Sequence, residues 1–167
     1  EASGESLYYL VNPFKFGFDP EVAEAHHLQR VTLRGTLIYR EDGGAMIEVV
    51  KWSVEPQEAA ESDPASPLPA GISRGPVELT GEIVDSKCWF GVMNPGTMKP
   101  HRACAIHCIR GGIPPMLLVD RQDLYLLVGP QGEAINDAVL EHVAIPAVVP
   151  GELTEVGPIK ILAVDPS

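Results

Sequence analysis

The sequence predicts a mainly β protein with short helices: an OB-like barrel, with a degenerate second OB-like repeat at the N-terminus. Three observations predict it. Gly and Pro number 16 each among 167 residues, a composition that favours many short elements joined by turns. The apolar runs of the second half follow the order strand, cysteine-bearing insertion with helix, strand, strand, helix, strand, strand, which is the order of an OB-type barrel. Blocks of the first half match the back of the second in the same order.

The barrel elements follow one by one. Val77 to Val84 alternates apolar and polar residues, as a half-buried strand does, and Gly81 interrupts it as at a bulge or bend. Met116–Val119 and Leu124–Val128 are apolar strands joined by the polar turn Asp120 to Asp123. Ile135, Val139 and Val143 share one face of an expected helix over Glu133 to His142. Ala147 to Gly151 and Ile159 to Val164 complete the set.

In the first half, Leu7 to Val11 followed by Asn12-Pro13 reads like Leu124 to Val128 followed by Gly129-Pro130. Asp19 then offers an N-cap, Pro20 a first helical position and Glu21 a first-turn acid. Val31 to Gly35 and Ala45 to Val50 correspond to the last two barrel strands. The Pro-, Ala-, Ser- and acid-rich stretch between the halves lacks hydrophobic periodicity and reads as a linker. The expected division is 1–55 for the partial repeat, 56–75 for the linker and 76–167 for the OB-like domain with its Cys/His insertion. A part as short as 1–55 buries little surface by itself.

A 45% hydrophobic content is ample for a packed core. The net charge of −11 argues against nucleic acid as a partner, because phosphate binding needs a basic face. No apolar run approaches the ~20 residues of a membrane span. The chain starts at Glu1 without a visible signal peptide, so a cleaved or omitted leader or anchor is expected. Between Asp85 and Asp120 there is no Asp or Glu, while Lys87, Lys99, Arg102 and Arg110 are present. That stretch also holds Met93, Met98 and Met116, three of the four methionines.

All three cysteines lie here. Pro100 can start a helix and Gly111-Gly112 can stop it before Pro114. At about 100° per residue, His101, Cys104 and Cys108 form one stripe of that helix. Cys88, just after the first strand, can close over the stripe. The candidate set is therefore Cys88, His101, Cys104 and Cys108, a Cys3His site for zinc, copper or an iron–sulfur cluster. Asp85 is a candidate acceptor for His101 or a cap of the strand end, His107 an alternative nitrogen donor, and Trp89 a shield beside Cys88. Lys87 and its basic neighbours would lower the thiol pKa values. The competing reading is a disulfide from Cys88 to Cys104 or Cys108 with one thiol left over; Cβ atoms four apart on a helix are ~5–6 Å apart, too far for a Cys104–Cys108 bridge.

The pattern formed by Gly81, Asp85 and Cys88, then His101, Cys104, Ala105 and Cys108, then Gly112 and Pro114, resembles a group of mostly uncharacterised small bacterial exported domains. The resemblance covers residues 77–165 and implies an extracytoplasmic, periplasmic OB-like domain with Asp85, Cys88, His101, Cys104 and Cys108 as pattern positions. It implies no activity.

No hydrolase or transferase constellation stands out. The expected function is a non-catalytic, extracytoplasmic metal-binding module, a metal-handling or electron-transfer subunit of a membrane-associated complex with a protein partner. The alternative is a disulfide-stabilised OB-type interaction domain that binds a protein or glycan. A thiol redox enzyme has least support, because C-x-x-C is absent.

Overall fold

The computed structural model describes residues 6–40, 44–57 and 69–165, so most of the expected linker lies outside the described residues. The protein is mainly β and contains a closed five-stranded barrel. Its strands are β6 (Ile72–Asp85), β7 (Pro115–Val119), β8 (Asp123–Val128), β9 (Pro146–Val156) and β10 (Ile159–Ala163). They close in the order β6-β7-β8-β10-β9 and back to β6. β10 runs parallel to β8, and the other pairs are antiparallel.

Closure rests on β6, which is long enough to pair with β9 along most of its length and with β7 from Glu82 onward. The expected bulge is not at Gly81. The register shifts between Ser73 and Gly75 instead. Gly81 is needed for a different reason: a Cβ there would stand 2.5 Å from the Leu118 carbonyl oxygen, where β6 turns onto β7.

The N-terminal part forms a second sheet from β1 (Tyr9–Val11), β3 (Gly35–Tyr39) and β4 (Ala45–Val49), in the order β1-β4-β3. β1 is parallel to β4, and β4 is antiparallel to β3. The expected helix is present as α1 (Pro20–Ala25), with the Asp19 side chain accepting from the Glu21 amide at 3.0 Å. The strand expected over 31–35 divides. β2 (Val31–Thr32) pairs with β5 (Glu55–Pro56), and β3 begins at Gly35.

One expected helix does not form. Residues 133–142 run through turns into a short 3-10 turn at Leu140–His142. The Asn136 amide is drawn to the carbonyls of Ile109 (2.7 Å) and Ile113 (2.9 Å), which ties this segment to the chain around Gly111. Ile135, Val139 and Val143 are buried all the same, so their burial survives without the helix.

Strand alternation divides the interior into two cores. Ile83, Leu117, Leu127 and Leu162 point into the barrel. Their chain neighbours Val84, Met116, Leu118 and Leu126 point out of it and pack under the N-terminal sheet with Val11, Met46 and Phe90. This is the period-two geometry of a strand buried on both faces. The helix α2 (Met98–Arg110) serves both cores: Ala105 and Ile109 join the barrel, whereas Cys104 and Cys108 join the outer core. The cysteines thus lie at the seam between the barrel and the N-terminal sheet.

Candidate metal centre

Two segments bring the thiols together. β6 ends at Asp85, and the chain turns through a wide helical turn, Cys88–Val92. Asp85 caps that turn, its Oδ1 accepting from the Cys88 amide at 2.8 Å. α2 supplies the other donors. Cys88 and Cys108 are buried and Cys104 is partly buried. The three Sγ atoms lie within 4.8 Å of one another, close enough to share one ion. All three are free thiols.

His101 stands on the other side of Cys88. Asp85, Cys88 and His101 form a second group whose donor atoms lie within 4.8 Å of one another. His101 Nε2 pairs with Asp85 Oδ2 at 3.0 Å, and both side chains are buried. Asp85 therefore pairs with His101 through one oxygen and caps the turn after β6 with the other. Cys88 is the member common to the two groups.

The other candidates lie further out. His107 is exposed on α2 and belongs to neither group. Trp89 is buried beside Cys88 in the outer core, with the Arg40 guanidinium 4.2 Å from its ring centroid. Lys87 points away from the thiols. Its buried ammonium donates to the carbonyls of Asn12 (2.9 Å) and Phe14 (2.7 Å) and pairs with Glu48 at 2.5 Å. It ties the cysteine segment to the N-terminal sheet. Arg102 donates to the Glu141 carbonyl at 2.9 Å.

The cation at the thiols comes instead from the first half of the chain. Lys15 Nζ donates to Cys104 Sγ at 2.9 Å and to Cys108 Sγ at 3.5 Å. A tight loop holds it there. The Asn12 amide donates to the Phe16 carbonyl and the Gly17 amide to the Gly111 carbonyl. The crossing admits no side chain: a Cβ on Gly17 would overlap the Gly112 carbonyl, and one on Gly111 would overlap the Lys15 carbonyl. Sequence reasoning missed Lys15. The only signal available was the glycine pairing at 17 and 111–112, which has no meaning until the two segments meet.

A hydrogen bond from Cys88, helped by the positive charge of Lys15, lowers the Cys108 pKa to about 7. The Cys88 pKa is driven far up, first by its hydrogen bond to Cys108, then by burial and the Asp85 charge. Lys15 is itself raised, chiefly through its hydrogen bond to Cys104. One thiolate is thus ready near neutral pH, and a cation must displace the remaining protons, as metal binding to thiols does.

Three soft donors converging on one point form a site that can hold a metal ion. The cavities of 290 and 480 Å³ lie elsewhere, lined by residues such as Tyr9 and Lys160 in the first and Arg40, Glu82 and Trp89 in the second. No helix among the described residues is long and apolar enough to cross a membrane. Comparison with known protein families, curated proteins and solved structures finds no match to this chain.

Proposed function

We propose that this protein is a non-catalytic metal-binding module whose centre is the thiolate set Cys88, Cys104 and Cys108. The observation that carries the reading is the approach of three Sγ atoms to within 4.8 Å from two separate segments. His101 and Asp85 adjoin the set through Cys88, and we take His101 as the nitrogen donor of a Cys3His arrangement. With Nε2 turned to Asp85, it would ligate through Nδ1. The barrel is of the OB type: the strand order first, second, third, fifth, fourth and the long first strand support this. The N-terminal sheet is a partial copy of it, an assignment supported by its pairing pattern. We place the module outside the cytoplasm, on the resemblance of its cysteine segment to exported bacterial domains. There it handles metal or electrons for a protein partner in a membrane-associated complex.

The test is elemental analysis of anaerobically purified protein with a thiol count under denaturing, non-reducing conditions. Bound zinc, copper or iron with three titratable thiols supports the reading, and Cys104→Ser should then lose the metal. No metal and one titratable thiol would replace it with a disulfide-stapled loop on an interaction domain.

A further inference from the structure

Zinc in a thiolate site completes a tetrahedron with a fourth donor. The nitrogen candidate, His101, adjoins the thiol set only through Cys88 and holds its Nε2 to Asp85. A further sulfur lies beside the outermost thiol: Met93 Sδ is 3.8 Å from Cys104 Sγ.

Met93 lies outside the core. A methionine that fills a core gap is buried, as Met46 and Met116 are at 0% exposure, whereas Met93 is 45% exposed. The sulfur donors also grade outward, from Cys88 and Cys108 at 4% and 3% exposure through the partly buried Cys104 to Met93. An ion arriving from solvent meets Met93 and Cys104 first.

A thioether is a neutral, soft donor that favours copper(I). Lys15 fits the same ion. A monovalent ion leaves a thiolate set with one more negative charge than zinc does, and the ammonium at 2.9 and 3.5 Å from two of the sulfurs offsets it. Resting on the metal-binding reading above, we infer that the ion is copper(I), taken up at Met93 and Cys104 and held by the cysteine thiolates with Met93 as the outer donor. Binding releases thiol protons and changes no oxidation state.

The experiment uses the full chain, reduced and metal-free, under anaerobic conditions. It competes with one chromophoric chelator for copper(I) and, separately, with another for zinc(II). Copper(I) should be withdrawn stoichiometrically and should displace zinc from zinc-loaded protein. In Met93→Leu, the copper(I) affinity should fall about tenfold, the scale of losing one supporting group at a metal site, while zinc affinity holds. The exposed position leaves folding intact, which an unchanged thermal midpoint checks. Zinc binding that copper(I) cannot displace overturns the copper assignment and leaves the metal reading standing. Equal copper(I) affinity in Met93→Leu overturns the role of Met93. Failure to bind either ion overturns the metal reading itself.

Discussion

The N-terminal sheet and the back of the barrel are built by the same pairing rule and end in different states. In the first, β1 is parallel to β4, with Tyr9 opposite Met46, and β4 is antiparallel to β3. In the second, β8 is parallel to β10, with Tyr125 opposite Lys160, and β10 is antiparallel to β9. The barrel continues through β6 and β7 until no edge remains. Among the described residues the N-terminal sheet has three strands and leaves Leu37 and Tyr39 on β3 50% and 63% exposed. A three-stranded sheet must find a hydrophobic face to cover. This one covers the outer face of β7 and β8, and the cysteine segment lies in the joint. A three-stranded sheet packed on a closed barrel therefore creates a seam that a lone barrel would lack, and the seam delivers Lys15 to the thiols.

The largest effect should come from the apolar joint. Phe90 is 1% exposed in the outer core, so Phe90→Ala should cost about 4 kcal/mol in urea unfolding. If the N-terminal sheet depends on the barrel, amide exchange should rise more in β1 and β4 than in β8 and β10. Equal loss in both would mean that the two sheets unfold as one unit.

Next comes Lys87→Met. It removes a buried ammonium from two carbonyls and from Glu48, whose side chain is 31% exposed. Because solvent partly screens Glu48, the expected cost is about 2–3 kcal/mol, below that of breaking a fully buried pair. A loss under 1 kcal/mol would show that packing alone holds the seam.

Gly17→Ala places a methyl group against the Gly112 carbonyl. A cost of about 2 kcal/mol is expected, with displacement of Lys15 and a rise in the Cys108 pKa seen in thiolate absorbance.

The smallest stability effect belongs to Lys15→Gln, within about 0.5 kcal/mol because the side chain is exposed. Its readout is titration. Cys108 is lowered from its ordinary 9.0 to about 7, so its contribution to stability is full above 9 and is lost as pH falls through 7. Cys88 is raised, so its effect runs the other way: above 9 the unfolded thiol ionises while the folded one keeps its proton, and stability declines. The pair should stabilise the native state most near pH 9. Lys15→Gln should shift the lower limb of that profile toward higher pH; an unmoved limb would assign the lowered pKa to Cys88 alone.

Local periodicity made much of this legible. The stripe of His101, Cys104 and Cys108 follows from the helical repeat, and α2 carries it between Thr97 and Gly111. The alternation in β6 and the turn at 120–123 follow from strand and turn chemistry. The Asp19 cap was equally local. The helix over 133–142 was not, because the Asn136 side chain has partners more than 20 residues away.

By itself, the sequence determined where the cysteines fall and that Cys104 and Cys108 share a side of one helix, because both depend on spacing along the backbone. Tertiary structure alone decided what surrounds them. The same stretch of basic residues sends Lys87 to the N-terminal sheet and Arg102 to the Glu141 carbonyl, while Lys15, 89 residues from Cys104, supplies the charge at the thiols. A side chain's charge is local, but its partner is set by which backbones approach closely enough to aim it. Here that approach rests on Gly17 and Gly111, where the absence of two Cβ atoms lets the loop cross.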